Sequence, residues 1–373
     1  MKILLLSNSS SGLYNFKREL IEELIKPNTY VIENNLGDNE VHVVVPDNKK
    51  SVELAELGCK ITYVDLDRRG TNPLKDFKLL LSYFNIIRKE KPDAVLTFTI
   101  KPNIYGGIAC SILKIPYISN ITGLGTSIRN KSAITGFIEK LYCVGLKKAD
   151  KLYFENESDL NFFNNEIMKN NKSVLLPGSG INLNRFKFKE YPKDDKIINF
   201  ITIGRIMKDK GSNELLESIK LLNSRYNNIN FYIVGNYDED NFRDTIESMN
   251  QNGVIKYLGV REDISDLISK SHCVVHPSYH EGLSNVLLEA AATGRPVIAS
   301  DVPGCIETFI DGKTGIAIQP KSVNSLVSGI ESFIDLNIED KSLMGKSARE
   351  HVENKFDRNI VIKEYIKDLN NLY

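Results

Sequence analysis

The chain of 373 residues carries no excess charge of either sign, since 48 Lys and Arg balance 48 Asp and Glu. A global electrostatic pull toward nucleic acid or an anionic surface is excluded, and any basic patch must be local. Long apolar runs are missing too. The longest candidate, 104–118, is broken by Lys114 and Pro116, short of the ~20 apolar residues that a membrane span needs. The apolar stretch at the N-terminus, Lys2 to Leu6, is too short for a secretory signal and reads as a first buried strand. Cysteines are few and scattered. Cys59, Cys110, Cys143, Cys273 and Cys305 form no Cys-x2-Cys pair, so buried, reduced thiols in a cytosolic protein are expected rather than a disulfide framework. His272, His276 and His280 stand four apart, a spacing that would align metal ligands on a helix. Residues 272–276 read as a strand, however, and Pro277 follows, so no metal site is expected there.

What is present is ordinary globular composition, 42% hydrophobic and 26% charged, in a chain long enough for two domains with a core each. Short apolar runs alternate with helix-length amphipathic stretches throughout, the pattern of parallel sheets covered by helices on both faces. Strands are expected at 2–6, 41–45, 60–64, 94–98, 116–120, 150–154 and 172–176, then at 197–203, 229–234, 254–258, 272–276, 296–300 and 316–319. Helices fit 14–26, 49–57, 75–90, 103–113, 132–148 and 156–165, then 210–226, 241–251, 262–270, 284–293, 322–336, 339–354 and 358–371. The division is expected at 180–195, after Gly178 and Gly180, where the sequence is charged and irregular. Segment 27–40 is longer than a helix-to-strand connection usually is and reads as a loop insertion.

Two segments in the second half concentrate polar chemistry. Glu281 and Glu289 are eight positions apart, about 2.2 helical turns, with Gly282, Leu283, Ser284 and Asn285 between an apolar strand and a helix start. A helix N-terminus offers unpaired amides and partial positive charge to a phosphate, and a carboxylate near each end can accept from sugar hydroxyls. Taken alone, the pair is equally a solvated helix start with two surface glutamates. The second segment is Gly204-Arg205-Ile206-Met207-Lys208-Asp209-Lys210-Gly211, directly after a strand. A strand, a glycine, two cations and a glycine before a helix can clamp a diphosphate. Both segments follow parallel strands, at the sheet edge where open α/β folds bind ligands.

GRIMKDKG at 204–211, PSYHEGLSNVLLEAAATGRPVIASDVPGCIE at 277–307 and DGKTG at 311–315 resemble the bacterial glycosyltransferases of family four, the retaining group with the GT-B fold. TFTIKPNIYG at 97–106 and NITGLG at 120–125 narrow the similarity to capsule, O-antigen and glycan-assembly enzymes that extend a sugar on undecaprenyl diphosphate. The resemblance covers nearly the whole chain. It implies two Rossmann-like domains facing a central cleft: an acceptor-binding domain at 1–183, a nucleotide-sugar domain at 184–355 and a helix at 356–373 that crosses back. It implies a retaining, metal-independent transfer of a hexose or N-acetylhexosamine from a UDP-sugar to a lipid-linked saccharide. Arg205 and Lys210 would bind the donor diphosphate and Glu281 would hold the transferred sugar, these three being the catalytic set. Glu289 would accept from the ribose, and the amides of Gly282, Leu283, Ser284 and Asn285 would meet sugar and diphosphate. Gly204 belongs to the diphosphate loop, and Val260 and Arg261 border the base.

In the first half, Ser11 and Gly12 stand where the family often has two glycines, so Gly12 is a candidate donor contact. Asn15, Lys17, Lys101, Thr122 and Gly123 are candidate acceptor contacts, although a solvated helix face serves equally for Lys17 and its neighbour Arg18. Many relatives carry histidine near position 122; this chain has Thr122. A histidine base is therefore unsupported, which fits a front-face reaction in which the leaving phosphate takes the acceptor proton. Asp65 and Asp67 match the Asp-x-Asp of another transferase fold by chance, and no cofactor is expected. Residues 128–148 combine Arg129, Lys131, Lys140, Lys147 and Lys148 with Phe137, Leu141, Tyr142 and Leu146, a helix that can rest on the inner face of the cytoplasmic membrane or face a core with basic ends. No nucleic-acid partner is implied. Two other readings stay open: a UDP-N-acetylglucosamine 2-epimerase of the same fold, and a non-catalytic sugar-nucleotide-binding protein.

Overall fold

A computed structural model describes residues 1–26, 39–68, 70, 72–124, 135–193 and 196–372. The chain divides into two units, Met1–Ser179 with Asn359–Tyr373, and Gly180–Arg358. Most of the 27–40 insertion, the 128–134 end of the basic stretch and Gly125 lie outside the described residues.

Unit 1 holds strands β1 (Lys2–Leu6), β2 (Glu40–Val45), β3 (Lys60–Tyr63), β4 (Ala94–Phe98), β5 (Tyr117–Ile121), β6 (Lys151–Phe154) and β7 (Ser173–Leu175). They form one parallel sheet in the order β3-β2-β1-β4-β5-β6-β7. Its helices are α1 (Ser10–Ile25), α2 (Ser51–Glu56), α3 (Pro73–Glu90), α4 (Gly107–Leu113), α5 (Thr135–Leu146) and α6 (Glu157–Phe162). Both faces are covered, which is why β4 and β5 are apolar-tolerant and buried at every position rather than alternating. Leu4, Leu6 and Val95 pack on one side, and Ile3, Leu5 and Leu96 on the other, as the period of two requires.

Unit 2 holds β8 (Ile198–Ile203), β9 (Ile229–Val234), β10 (Lys256–Tyr257), β11 (Cys273–His276), β12 (Val297–Ser300) and β13 (Gly315–Ile318). Helices α7 (Ser212–Asn223), α8 (Arg243–Gln251), α9 (Ile264–Ser269), α10 (Asn285–Thr293), α11 (Val323–Ile334) and α12 (Ile338–Lys355) cover this parallel sheet, ordered β10-β9-β8-β11-β12-β13. The last helix, α13 (Arg358–Asn370), buries Val361, Ile362, Tyr365 and Leu369 in the core of unit 1.

Strand order reverses between β1 and β4 in unit 1 and between β8 and β11 in unit 2. Connections leave such neighbours in opposite directions, opening a crevice at their carboxyl ends. In unit 2 that crevice receives the loops 204–211 and 277–284.

The segment entering unit 2 is pinned by Arg295, which is fully buried. Its guanidinium donates to the carbonyls of Lys189, Glu190, Ser269, Thr293 and Gly294, the last two at the carboxyl end of α10. The two terminal nitrogens make all five bonds, three from Nη1 and two from Nη2, while Nε is buried without a partner among the described residues, and the helix end favours the cation. Burial still lowers its pKa, to about 10.

Candidate active site

Loop 204–211 and loop 277–284 are stitched together beside the β8/β11 reversal. Gly211 takes φ 71°, and a Cβ there would stand 2.1 Å from the Pro277 carbonyl oxygen, so only glycine allows this approach. The Tyr279 amide donates to the Asp209 carbonyl at 2.9 Å. Gly304 also presses on the Glu281 carbonyl oxygen, 2.4 Å from where its Cβ would be, and its carbonyl accepts the Ser284 amide at 2.7 Å.

These joints bring the charged groups together. Lys210 donates to Glu281 Oε1, and His276 Nε2 lies 2.9 Å from the same oxygen. Burial pulls the Glu281 carboxyl up, but the hydrogen bond and charge of His276, with Lys210, outweigh it and hold the group well below the usual carboxylate range. Glu281 is therefore an anion. Gly204, Arg205, Lys210 and His276 line one pocket. Arg205 is half exposed and meets Asp238 at 3.0 Å. Ser284 is the N-cap residue of α10, yet its side chain makes no cap bond; Oγ lies 3.2 Å from His276 Nε2 instead.

The other selected residues of unit 2 are distributed as follows. Asn285 opens α10 and Leu283 is buried in a small apolar cluster with Leu288 and Ala291. The Ser284 amide is engaged by Gly304, so the expectation that it meets a ligand is corrected. Gly282 lies against Gly304, its carbonyl 2.8 Å from where a Cβ would be. Glu289 lies one turn into α10; burial pushes its carboxyl up to about 7, with Arg185 and Arg358 pulling the other way. Val260 is exposed on the loop after β10, and Arg261 pairs with Asp263 at 2.6 Å.

In unit 1, α1 begins at Ser10 and not near 14. Ser9 caps it, accepting from the Gly12 amide at 3.1 Å, so Gly12 belongs to the first helical turn rather than to an open loop. Asn15 is exposed. Lys17 is turned inward, against the expectation of a solvated face: its ammonium lies 3.8 Å from buried Glu155 and over the rings of Phe98 and Tyr365. Lys101 donates to Asp76 at 2.6 Å and to the Gly70 carbonyl at 2.8 Å. It follows Thr99, a β-branched residue at φ 75°, and precedes a π-helical turn, Pro102–Gly106. Such strain and such turns concentrate at functional sites. Thr122 and Gly123 follow β5, Gly123 at φ 145°.

Sequence reasoning missed His276 as a partner of Glu281, Asp238 as a partner of Arg205, and Arg295. Among the described residues no three His, Cys, Asp or Glu side chains gather as metal ligands. His272 instead packs its ring against Tyr191 and accepts the Asn199 amide at 3.0 Å, and Asp67 pairs with Lys75 at 3.7 Å.

Both halves of the sequence match models of known glycosyltransferases. The model "Glycosyl transferases group 1" matches residues 184–351, and "Glycosyl transferase 4-like" matches residues 2–156. The two matches, one on each half of the chain, identify it as a glycosyltransferase. It is 29% identical to the N,N'-diacetylbacillosaminyl-diphospho-undecaprenol alpha-1,3-N-acetylgalactosaminyltransferase of Campylobacter jejuni, over 98% of each chain. The capsular polysaccharide biosynthesis glycosyltransferase CapM of Staphylococcus aureus is 28% identical over 87% of this chain and 88% of its own. A UDP-Gal:alpha-D-GlcNAc-diphosphoundecaprenol alpha-1,3-galactosyltransferase of Escherichia coli is 25% identical over 88% of each. Among solved structures, a Rickettsia africae glycosyltransferase superposes with TM-score 0.78 at 18% identity, covering 100% of this chain and 98% of that one. Anabaena HepE, solved with UDP-glucose, gives 0.79 at 18% identity with both chains fully covered. These likenesses establish the fold as GT-B, two Rossmann-like domains.

Proposed function

We propose that the protein transfers a hexose or N-acetylhexosamine, with retention, from a UDP-sugar to a saccharide on undecaprenyl diphosphate, on the inner face of the cytoplasmic membrane. The observation that carries this reading is the convergence of Lys210 and His276 on one oxygen of Glu281, beside the pocket that Lys210, His276 and Arg205 line. Three relatives named above are glycosyltransferases of capsule or undecaprenyl-diphosphate glycans, and one is named for a UDP-sugar.

The roles follow from electrostatics. Arg205, Lys210 and the first amides of α10 face the diphosphate, where charge grows as the glycosidic bond breaks; fixed donors of this kind lower the barrier because they need no reorganisation. Glu281 accepts from hydroxyls of the transferred sugar, and Glu289 from the ribose. The acceptor hydroxyl attacks the anomeric carbon on the face that UDP leaves, its proton passing to the departing phosphate oxygen. No divalent ion is assigned a role.

In unit 1 the acceptor is assigned to Asn15, Lys101, Thr122 and Gly123; Lys17 is withdrawn because its ammonium is committed to Glu155. Helix α5 divides its faces. Tyr142 and Leu146 are buried, whereas Phe137 and Val144 are exposed, and Val144 shares a groove with Ile112, Lys147 and Lys148. Apolar side chains ringed by lysines suit an anionic lipid surface. Among the described residues no helix is long and apolar enough to cross a membrane.

Turnover of UDP-sugars with a lipid-linked saccharide tests the assignment. Arg205→Ala and Glu281→Ala should each lower the rate by about 10²–10³; unchanged turnover in both would remove these residues from the reaction.

A further inference from the structure

The N-cap position of α10 is occupied by a residue that does not cap. Ser284 has the extended backbone of an N-cap, φ −75° and ψ 102°, and serine in that position normally turns its hydroxyl onto the second or third amide of the helix. Here that would be the amide of Val286 or Leu287. The hydroxyl lies instead 3.2 Å from His276 Nε2. The same nitrogen is 2.9 Å from Glu281 Oε1. An ionised carboxylate only accepts, so Nε2 carries the proton and His276 donates to Glu281, with the Ser284 oxygen as the second, longer acceptor of the same N–H in a three-centre bond. Lys210 donates to that same oxygen. Both donors thus load Oε1, and the other carboxylate oxygen keeps its lone pairs for a ligand hydroxyl.

We propose that His276 is a positioning residue with two effects on the donor site. It fixes which oxygen of Glu281 faces the sugar, and it holds the Ser284 hydroxyl away from the N-terminus of α10, so that the first-turn amides stay open to the donor diphosphate. The side chain is buried at the end of β11, a rigid strand flanked by β8 and β12. Its ring is therefore placed by the sheet and not by the loops it organises. Without the imidazole, the Ser284 hydroxyl would fall back on its own helix and compete with the diphosphate for one amide.

The inference rests on the reading of the pocket as a UDP-sugar site, and the test separates the two. Titration calorimetry measures UDP binding to the full-length wild type, His276→Phe, His276→Gln and His276→Phe/Ser284→Ala, and kcat and KM are measured for the same set. His276→Phe should weaken UDP about tenfold, the worth of one amide contact to a charged group. Adding Ser284→Ala should recover the UDP affinity while kcat stays low, because Glu281 still lacks one of its two donors. His276→Gln, which restores an N–H, should recover both in part. A merely structural histidine would give no recovery on removal of the serine hydroxyl, and that result overturns the proposal, as does a His276→Phe protein that binds UDP like the wild type. If the wild type itself binds no UDP, the donor reading falls and this inference with it.

Discussion

Gly211 and Pro277 approach so closely that a Cβ on the glycine would stand 2.1 Å from the proline carbonyl oxygen. This contact joins the cation-bearing loop after β8 to the carboxylate-bearing loop after β11, and it sets the distance across which Lys210 reaches Glu281. Gly211→Ala must relieve both that overlap and a left-handed φ of 71°. The expected cost is about 2 kcal/mol or more of stability, with weaker UDP binding as the loops separate. Urea unfolding and calorimetry check the two effects; an alanine protein that matches the wild type in both contradicts the role of the joint.

Glu289 gives a pH signature. Its folded pKa is raised from 4.5 to about 7 by burial, so the folded protein keeps a proton that the unfolded chain has released. The stability this confers is full below pH 4.5 and lost as pH rises through about 7. Glu289→Gln has no proton to lose. Its melting temperature should stay near that of the wild type at pH 4.5 and exceed it by a few degrees at pH 8, as scanning calorimetry would show. A gap that stays constant with pH would mean that the carboxyl titrates normally.

Arg295 should behave as a structural pin. Arg295→Met leaves five carbonyls of its cage without their donor, and the expected loss is about 3–5 kcal/mol in urea unfolding. Arg295→Lys should recover little of it, because one ammonium cannot span a planar fork of acceptors.

The exposed apolar side chains of α4 and α5 carry the membrane assignment. Phe137→Glu with Val144→Glu should reduce sedimentation with phosphatidylglycerol vesicles several-fold while leaving unfolding in urea nearly unchanged, since both side chains are exposed. Equal sedimentation of variant and wild type would place the lipid contact elsewhere.

The alternation of apolar runs and amphipathic stretches made both sheets legible, because a strand buried on two faces announces itself by composition alone. The ends of elements were less legible. The helix expected from 14 starts at Ser10, capped by Ser9; a serine run serves loop and cap equally. The expected helix at 103–113 begins with a π-helical turn that no periodicity reveals. Lys17 shows the limit of a charge pattern, since its partner Glu155 is far away in sequence and meets it only through the sheet. The cations of 204–211 and the carboxylates of 281–289 stood out because their spacing is local. His276 did not. Its bond to Glu281 depends on how the loop after β11 folds back on the strand end, and the residue read as one member of a metal-like spacing.

A structure solved with UDP tests the central claim most directly. The account predicts the diphosphate oxygens within hydrogen-bond distance of Arg205, Lys210 and the first amides of α10, with the Arg205–Asp238 and Lys210–Glu281 contacts adjusted around them. A diphosphate bound elsewhere on the protein, with Arg205 and Lys210 still facing only Asp238 and Glu281, would contradict it.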